Sequence, residues 1–372
     1  MRSLVAVAVL AGFRGLASCG GSQGDAPPVP AVVAPAPKVA TPTAARRWIP
    51  GDLHQHVAPF DAREGAAFEV AGLAQHGPAA GLEFVIATPH LYLSTVGSPE
   101  RLRAWMAQWT LFAAQARAVR GFTVIPGVEY TASGFGHFGV SGVEVTRLDV
   151  DDLLATAHAA GGFVVVNHPF AVPTSIPGIP VSDRDLSFRP WSEGVGKVPA
   201  VDAVEVWNLP LGLANLASRP GGHTGEERAF VAADALARAE HRRIAVVGGS
   251  DSHGPFIVAT TWVFATDASE PAILAALHAG ATCVGGPEAG TLTARGDADP
   301  PERWAAIGEI AHARTTVELR WTGTGHLFVD GLDRGEHDGA WTHASAAGAH
   351  TYRLERDHSR CGFVYANLDD GP

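Results

Sequence analysis

The chain has 372 residues, 46% of them apolar, enough for one large core or a core with a small satellite, which excludes a disordered protein. A formal net charge of -11 and a pI near 5.8 exclude a nucleic-acid face, which needs a field of Lys and Arg to displace counterions. Cys19, Cys283 and Cys361 stand in no C-x-x-C or zinc-ribbon spacing, so thiolate metal chemistry is excluded as well.

At the N-terminus, Met1 and Arg2 give a basic start, Leu4 to Phe13 are almost wholly apolar, and Leu16-Ala17-Ser18-Cys19 follows. The apolar run is far shorter than the roughly 20 residues that span a bilayer, so residues 1–18 read as an export signal. Leu16-Ala17-Ser18-Cys19 resembles a bacterial lipobox, which implies cleavage before Cys19, lipidation of its sulfur and a membrane anchor. Residues 19–45, rich in Gly, Ala and Pro, cannot offset their ordering entropy and read as a tether. Export would leave Cys283 and Cys361 able to form a disulfide between the body and the C-terminal segment.

From Arg47 the chain alternates strands and helices, which predicts an α/β architecture with a mainly parallel sheet. The first strand ends in GDLHQHVAPFD, where His54 and His56, two residues apart, point to one face about 6 to 7 Å from each other. Asp61 follows a Pro-containing turn. A helix is expected over Phe68 to Gly81, a buried strand over Leu82 to Thr88 running into His90, and a long amphipathic helix over Pro99 to Arg120. Phe122 to Tyr130 reads as a strand with Glu129, and Gly136 to Val140 as another with His137. Val150 to Ala160 is helical, and the strand Gly162 to Pro169 ends at His168. Ala171 to Pro199 is too long and Pro-rich for an ordinary connection and suggests an active-site loop. The strand Val201 to Trp207, the helix Glu226 to Glu240 and the strand Arg243 to Gly249 follow, the last running into Ser250-Asp251-Ser252-His253. A strand over Ile257 to Ala265, a helix over Glu270 to His278 and a strand near Ala281 to Val284 complete the body. After Pro300, alternating stretches at Thr315 to Trp321, Gly325 to Val329 and His350 to Leu354 predict a small β appendage.

Apolar strands thus repeatedly hand over to His, Asp or Glu at their C-terminal ends, where barrels of this kind build one site. His54, His56, Asp61, His90, Glu129, His137, His168, Asp251 and His253 form the candidate ligand set, N/O donors without sulfur that fit Zn, Mn or Fe. His76, His158, His241 and His278 read as structural or surface residues. His326, His337, His343, His350 and His358 have no ligand spacing and read as solvated.

DLHQHVAPFD, ATPH, PGVEY, GHFG, NHP and GSDSH, in this order over residues 48 to 290, resemble the motifs of the PHP (polymerase and histidinol phosphatase) superfamily of metal-dependent hydrolases. GDLHQH and the late TTWVFATDASEPAILAALHAGATCVGG are most similar to the branch that includes carbaryl-hydrolase-like metallohydrolases. The resemblance implies a distorted (β/α)7 barrel over residues 46–290, with residues 300–372 as the appendage, and two or three divalent ions. His54, His56, Glu129 and Asp251 would hold one ion. Glu129 would bridge to a second, bound also by His137 and His168, and Asp61, His90 and His253 would hold a third. Pro89 stands where the family usually has Asp, which alters the support behind the third site. A hydroxide bridging the ions would attack the substrate, with Glu129, Asp251 and His253 as catalytic residues.

The reaction expected first is hydrolysis of a phosphoester, mono- or diester; a carboxylester, carbamate or amide is the alternative, and a non-catalytic metal-binding lipoprotein a third reading. Trp207, Asn208, Arg184 and Arg189 are the candidate substrate contacts for a small-molecule ester. The loop carrying the two arginines also carries Lys197 and Trp191, so it offers both cationic and apolar walls. No residue pattern speaks to the oligomeric state.

Overall fold

Residues 45–132, 136–171, 175–176, 179–180, 187–192, 194, 198–209, 224–254, 258–344 and 346–369 are described by the computed structural model. Cys19, the tether, Arg184 and Lys197 lie outside them. Strand β1 (Arg47–Gln55) leads through α1 (Val70–Ala79) to β2 (Phe84–Ala87) and β3 (His90–Leu91), then through a turn, α2 (Leu93–Val96), to the long α3 (Pro99–Ala118). β4 (Thr123–Ala132) and β5 (Gly136–Ser141) follow, then α4 (Leu153–Ala159) and β6 (Phe163–Val166). The expected loop carries a small pair, β7 (Ser175–Ile176) with β8 (Ile179–Pro180), and one turn of helix, α5 (Arg189–Ser192). β9 (Ala203–Asn208), α6 (Thr224–Glu240) and β10 (Ala245–Gly249) complete the N-terminal part.

These strands form a curled sheet. β1 pairs parallel with β2, and β2 with β4. β5 lies antiparallel between β4 and β6, and β6, β9 and β10 run parallel. Past β10 the chain returns to β1, where Asp251 N–H donates to the His54 carbonyl at 2.7 Å and His56 N–H to that of Ser252 at 3.1 Å. The mixed α/β class is as expected. Seven repeated strand-and-helix units are not what the pairing shows, because β5 follows β4 directly and runs against it.

Inward-facing residues follow the two-residue period of the strands. Ile49, Phe84, Ile86, Ile125, Phe163, Val165, Ala203, Ala245 and Val247 belong to one buried cluster. Towards the C-terminal ends the same rows turn polar: Ile125 is followed in phase by Glu129, Phe163 and Val165 by Asn167, Ala203 by Glu205. This is why one rim is rich in ligands and the other is an ordinary core.

α3 braces that rim. Ser98 caps it, its Oγ accepting from Arg101 N–H at 3.4 Å, and Pro99 and Glu100 sit in the first turn as helix starts favour. It buries Trp105, Trp109, Phe112, Ala113 and Ala116, a stripe at helical spacing. Trp105 Nε1 donates to the His90 carbonyl at 2.9 Å and Trp109 Nε1 to that of Gly127 at 3.0 Å, so the helix holds the strand ends that carry His90 and Glu129.

The C-terminal part grows from the other half of β1. Arg47–Gly51 pair antiparallel with β11 (Thr261–Ala265), which precedes α7 (Glu270–His278) and pairs with β12 (Thr282–Val284). Beyond lie β13 (Thr293–Gly296), β14 (Ile310–Ala311), β15 (Thr316–Val329), β16 (Leu332–Ala344), β17 (His350–Arg356), β18 (Ser359–Cys361) and β19 (Val364–Ala366). The two short strands expected at Thr315 to Trp321 and Gly325 to Val329 are one strand of 14 residues, and its partner β16 was not expected. Cys283 on β12 faces Cys361 on β18, and the two form a disulfide. His326 and His358 are exposed, whereas His343 and His350 are half-buried and paired, with Tyr352 OH at 3.0 Å and Asp330 Oδ2 at 2.8 Å. Among the described residues no helix is long and apolar enough to cross a membrane.

Candidate metal centre

At the polar rim, Glu129 of β4 is surrounded by imidazoles. Its Oε1 lies 3.2 Å from His54 Nε2, 3.2 Å from His137 Nδ1 and 3.4 Å from His168 Nε2. Its Oε2 lies 2.9 Å from His90 Nε2 and 3.5 Å from His56 Nε2. Asp251 Oδ1 adds contacts of 2.8 Å to His56 Nε2 and 3.5 Å to His54 Nε2. One ligand atom from each of His54, His56, Glu129 and Asp251 falls within 4.8 Å of the other three; so do those of His90, Glu129 and His137, and those of His56, His90 and His253. Eight of the nine ligand candidates are buried or nearly so, and His253, with 26% of its side chain exposed, is at the mouth.

The residues fit divalent cations. His54 Nε2, His137 Nε2 and Glu129 Oε2 are buried yet make no hydrogen bond among the described residues, although Glu129 Oε1 stands 3.2 Å from His54 Nε2 and His90 Nε2 stands 2.9 Å from Glu129 Oε2. Buried polar atoms are rarely left so unless a further group completes them. Two imidazoles are also gripped from behind. His54 Nδ1 meets Glu205 Oε1 at 3.1 Å and His56 Nδ1 meets Asp61 Oδ2 at 3.2 Å, leaving both Nε2 atoms turned inward. A carboxylate behind a ligating imidazole fixes its tautomer and raises its basicity.

Charge follows the same geometry. Burial pulls the His54 imidazole down, but Glu129, Asp251 and Glu205 outweigh it and hold it well above its usual value. His90 responds likewise: burial lowers it, and Glu129 and Asp61 carry it up to about 10. Burial pushes Glu129 up, and the ring of His54, His137 and His90 brings it well below the ordinary carboxylate range. Burial raises Asp52 to about 6, although it accepts from the backbone N–H of Ser250 at 2.9 Å and of His54 at 3.2 Å, tying β1 to the end of β10.

Two ligand candidates sit on uncommon backbone. His168 has φ 29° and Asp251 φ 51°, in the left-handed region that costs an ordinary residue about 1 to 3 kcal/mol. Both turn sharply out of a strand to bring their side chains to Glu129 and His56.

Of the expected substrate contacts, Trp207 and Asn208 end β9 and line a cleft beside His168, with Phe170, Val206 and Glu226. Arg189 begins α5 and does not line that cleft. Asp61 is brought to the cluster with its oxygens divided, Oδ2 towards His56 and Oδ1 towards the N–H and Nδ1 of His90, each 3.2 Å away.

Three residues escaped the sequence reading: Glu205, Asn167 and Glu64. Asn167 Nδ2 donates to Glu129 Oε1 at 2.8 Å and fixes the carboxylate's rotation. Glu205 accepts from His168 N–H at 2.7 Å with one oxygen and reaches His54 with the other, so it joins β1, β6 and β9. Gly249 makes room for this, since a Cβ there would collide with His54 Cβ and Glu205 Oε1. The available signal was a Glu inside the apolar run VDAVEVW, a residue type that is almost never buried without a partner. Replacing Glu205 by Gln is expected to keep the fold and weaken metal binding roughly 10- to 100-fold, the usual effect of losing such a carboxylate. Metal titration of the variant with a competing chelator measures it; unchanged affinity would remove Glu205 from the site.

No protein-family model matches the chain, and no curated protein does. A solved structure from Bacteroides vulgatus, a two-domain protein containing a predicted PHP-like metal-dependent phosphoesterase, is similar to it with a TM-score of 0.43 and 16% identity, over 84% of this chain and 91% of that one. At that distance the likeness says nothing about activity, which has to be read from the residues at the rim.

Proposed function

We propose that this chain is an exported metal-dependent hydrolase that cleaves a phosphoester, with its ions held by the strand-end cluster. The observation that carries the reading is Glu129, one carboxylate with five imidazoles within 3.5 Å of its two oxygens. A carboxylate can give one oxygen to each of two ions, which an imidazole cannot. The donor set, nitrogen and oxygen without sulfur, suits Zn, Mn or Fe. Ions held there would supply a nucleophile from water near neutral pH and stabilise charge on the attacked group, which suits phosphoryl transfer. His54, His56 and Asp251 would hold one ion with Glu129, and His137 and His168 a second. Glu205 and Asp61 keep protons on the outward nitrogens of His54 and His56, and Asn167 keeps Glu129 from rotating. His253, with 26% of its side chain exposed, is the most open imidazole of the set and would be the first a substrate meets.

A second reading has its own support. The cleft beside His168 is walled by Phe170, Val206, Trp207 and Ala229, and its described lining contains no Arg or Lys. An uncharged carboxylester, carbamate or amide fits such a wall better than a phosphate does. Export is supported by the signal-like N-terminus and by the Cys283–Cys361 disulfide, a bond that persists mainly in oxidising compartments. The partners proposed are a small-molecule ester and, through a lipid on Cys19, a membrane.

The test is metal content by elemental analysis, with p-nitrophenyl phosphate, bis-p-nitrophenyl phosphate and 1-naphthyl ester turnover measured on the same sample. Bound metal with phosphoester turnover lost in His168→Ala supports the leading reading. Ester turnover without phosphoester turnover moves it to the second. Bound metal with no turnover leaves a metal-binding lipoprotein, and a protein that takes up no Zn, Mn or Fe sinks all three.

A further inference from the structure

We infer that Glu64 is a metal ligand, the solvent-side donor of an ion site it forms with Asp61, His90 and His253. This rests on the metal-dependent reading above and adds to it a residue outside the strand-end motifs. Glu64 ends the 3-10 turn Ala62–Glu64 that directly follows Asp61, and Gly65, at φ 96°, closes the turn with its N–H on the Ala62 carbonyl. The turn swings Glu64 back over the mouth of the cluster.

One ligand atom from each of Asp61, Glu64 and His90 lies within 4.8 Å of the other two, and His253 adjoins this trio through Glu64. Glu64 Oε2 is 3.3 Å from His90 Nδ1 and 3.4 Å from His253 Nε2, and Asp61 Oδ1 is 3.2 Å from His90 Nδ1. Tetrahedral bonds of about 2.0 to 2.2 Å put neighbouring ligand atoms roughly 3.3 to 3.6 Å apart. Hydrogen-bond roles point the same way. His253 Nδ1 lies 3.3 Å from the Asp251 carbonyl, which can only accept, so Nδ1 carries a proton and Nε2 is the nitrogen turned to Glu64, 3.4 Å away. A proton on Nε2 links the two in the metal-free protein, and an ion would take its place.

The second oxygen of Glu64 is held elsewhere. Tyr92 OH donates to Glu64 Oε1 while its ring stacks on His90 with centroids 4.6 Å apart, which leaves Oε2 aimed at the two imidazoles. Exposure of the side chains rises through the set, from 1% at Asp61 and 8% at His90 to 26% at His253 and 41% at Glu64. An ion there would sit nearest to solvent and exchange most readily.

The test is a zinc titration of chelator-stripped protein by calorimetry, with bound zinc counted by elemental analysis, for the wild type, Glu64→Gln and Tyr92→Phe. Three ions are expected in the wild type. Glu64→Gln is expected to keep two at unchanged affinity and to weaken the third at least about tenfold, with Tyr92→Phe weakening the same ion less. An unchanged melting temperature of the stripped Glu64→Gln protein excludes misfolding as the cause; if that variant does not fold, Tyr92→Phe reports on the same ion. Three ions bound equally well by the variants would overturn the inference and make Glu64 a surface partner of His253. Two ions in both the wild type and Glu64→Gln would also overturn it while leaving the hydrolase reading intact, whereas no zinc in the wild type would defeat both.

Discussion

Replacing Glu129 by Gln is expected to abolish stoichiometric metal binding and to lower turnover by on the order of a thousandfold or more, since the ions supply several kcal/mol of charge stabilisation. Gln keeps the shape and one acceptor oxygen but removes the charge around which His54, His56, His90, His137 and His168 converge. Glu129→Asp restores the charge and shortens the reach by one methylene, so it should recover part of the binding and little of the rate. Elemental analysis beside turnover measures both. A Glu129→Gln protein that still holds two ions would show that the carboxylate does not bridge them.

Metal-loaded and metal-free protein are expected to respond to pH in opposite senses. In the metal-free protein His54, His90, His168 and His253 are all raised by neighbouring carboxylates, against the pull of burial. A raised histidine contributes stability that is fully present below its unfolded value near 6.5 and is lost as pH climbs through the folded value, about 10 for His90. The lowered carboxylates Glu129, Asp61 and Asp251 contribute above their unfolded value near 4 and lose it in acid. The metal-free melting temperature should therefore fall between about pH 6.5 and pH 9. Ions need neutral imidazoles, so their contribution grows over the same interval and binding releases protons, about two for His54 and His90 together at pH 7. Melting curves with and without chelator should separate as pH rises, and calorimetry in buffers of different ionisation enthalpy should count the protons. Curves that converge instead would mean that the imidazoles bind no ion.

Most of the centre was legible because its residues end strands. His54, His90, Glu129, His168 and Asp251 each follow an apolar run, and a run that stops at a ligand can be read without knowing its neighbours. Glu205 and Asn167 were harder, since their meaning lies in which strand comes next: Glu205 matters because β9 lies beside β6 and their polar ends converge on His54 and His168. Glu64 sits in a turn with no periodicity at all. In the fold, β16 was missed for a related reason. Its residues are exposed or half-exposed along the whole strand and include Gly335 and Gly339, so it lacks the buried alternation that marks a strand with one face in a core. β15, which buries Val317, Leu319, Trp321, Leu327 and Val329, shows that alternation, but Gly323 and Gly325 made it read as two.

The shared use of β1 reaches into how the protein is made. Its first half is paired with β11, β11 with β12, and β12 with β18 near the C-terminus, while its second half carries His54 and leads directly into His56. The strand that begins the ligand set thus lies in a sheet whose last members emerge some 300 residues later, counting from Arg47 to Cys361. Pairings so distant in sequence are slow to form, because loop closure has to precede the contacts that reward it. The ions would then be captured by a finished chain rather than a growing one, and a shortened version ending near residue 290 would leave β12, two strands from β1, with one edge open where β18 belongs.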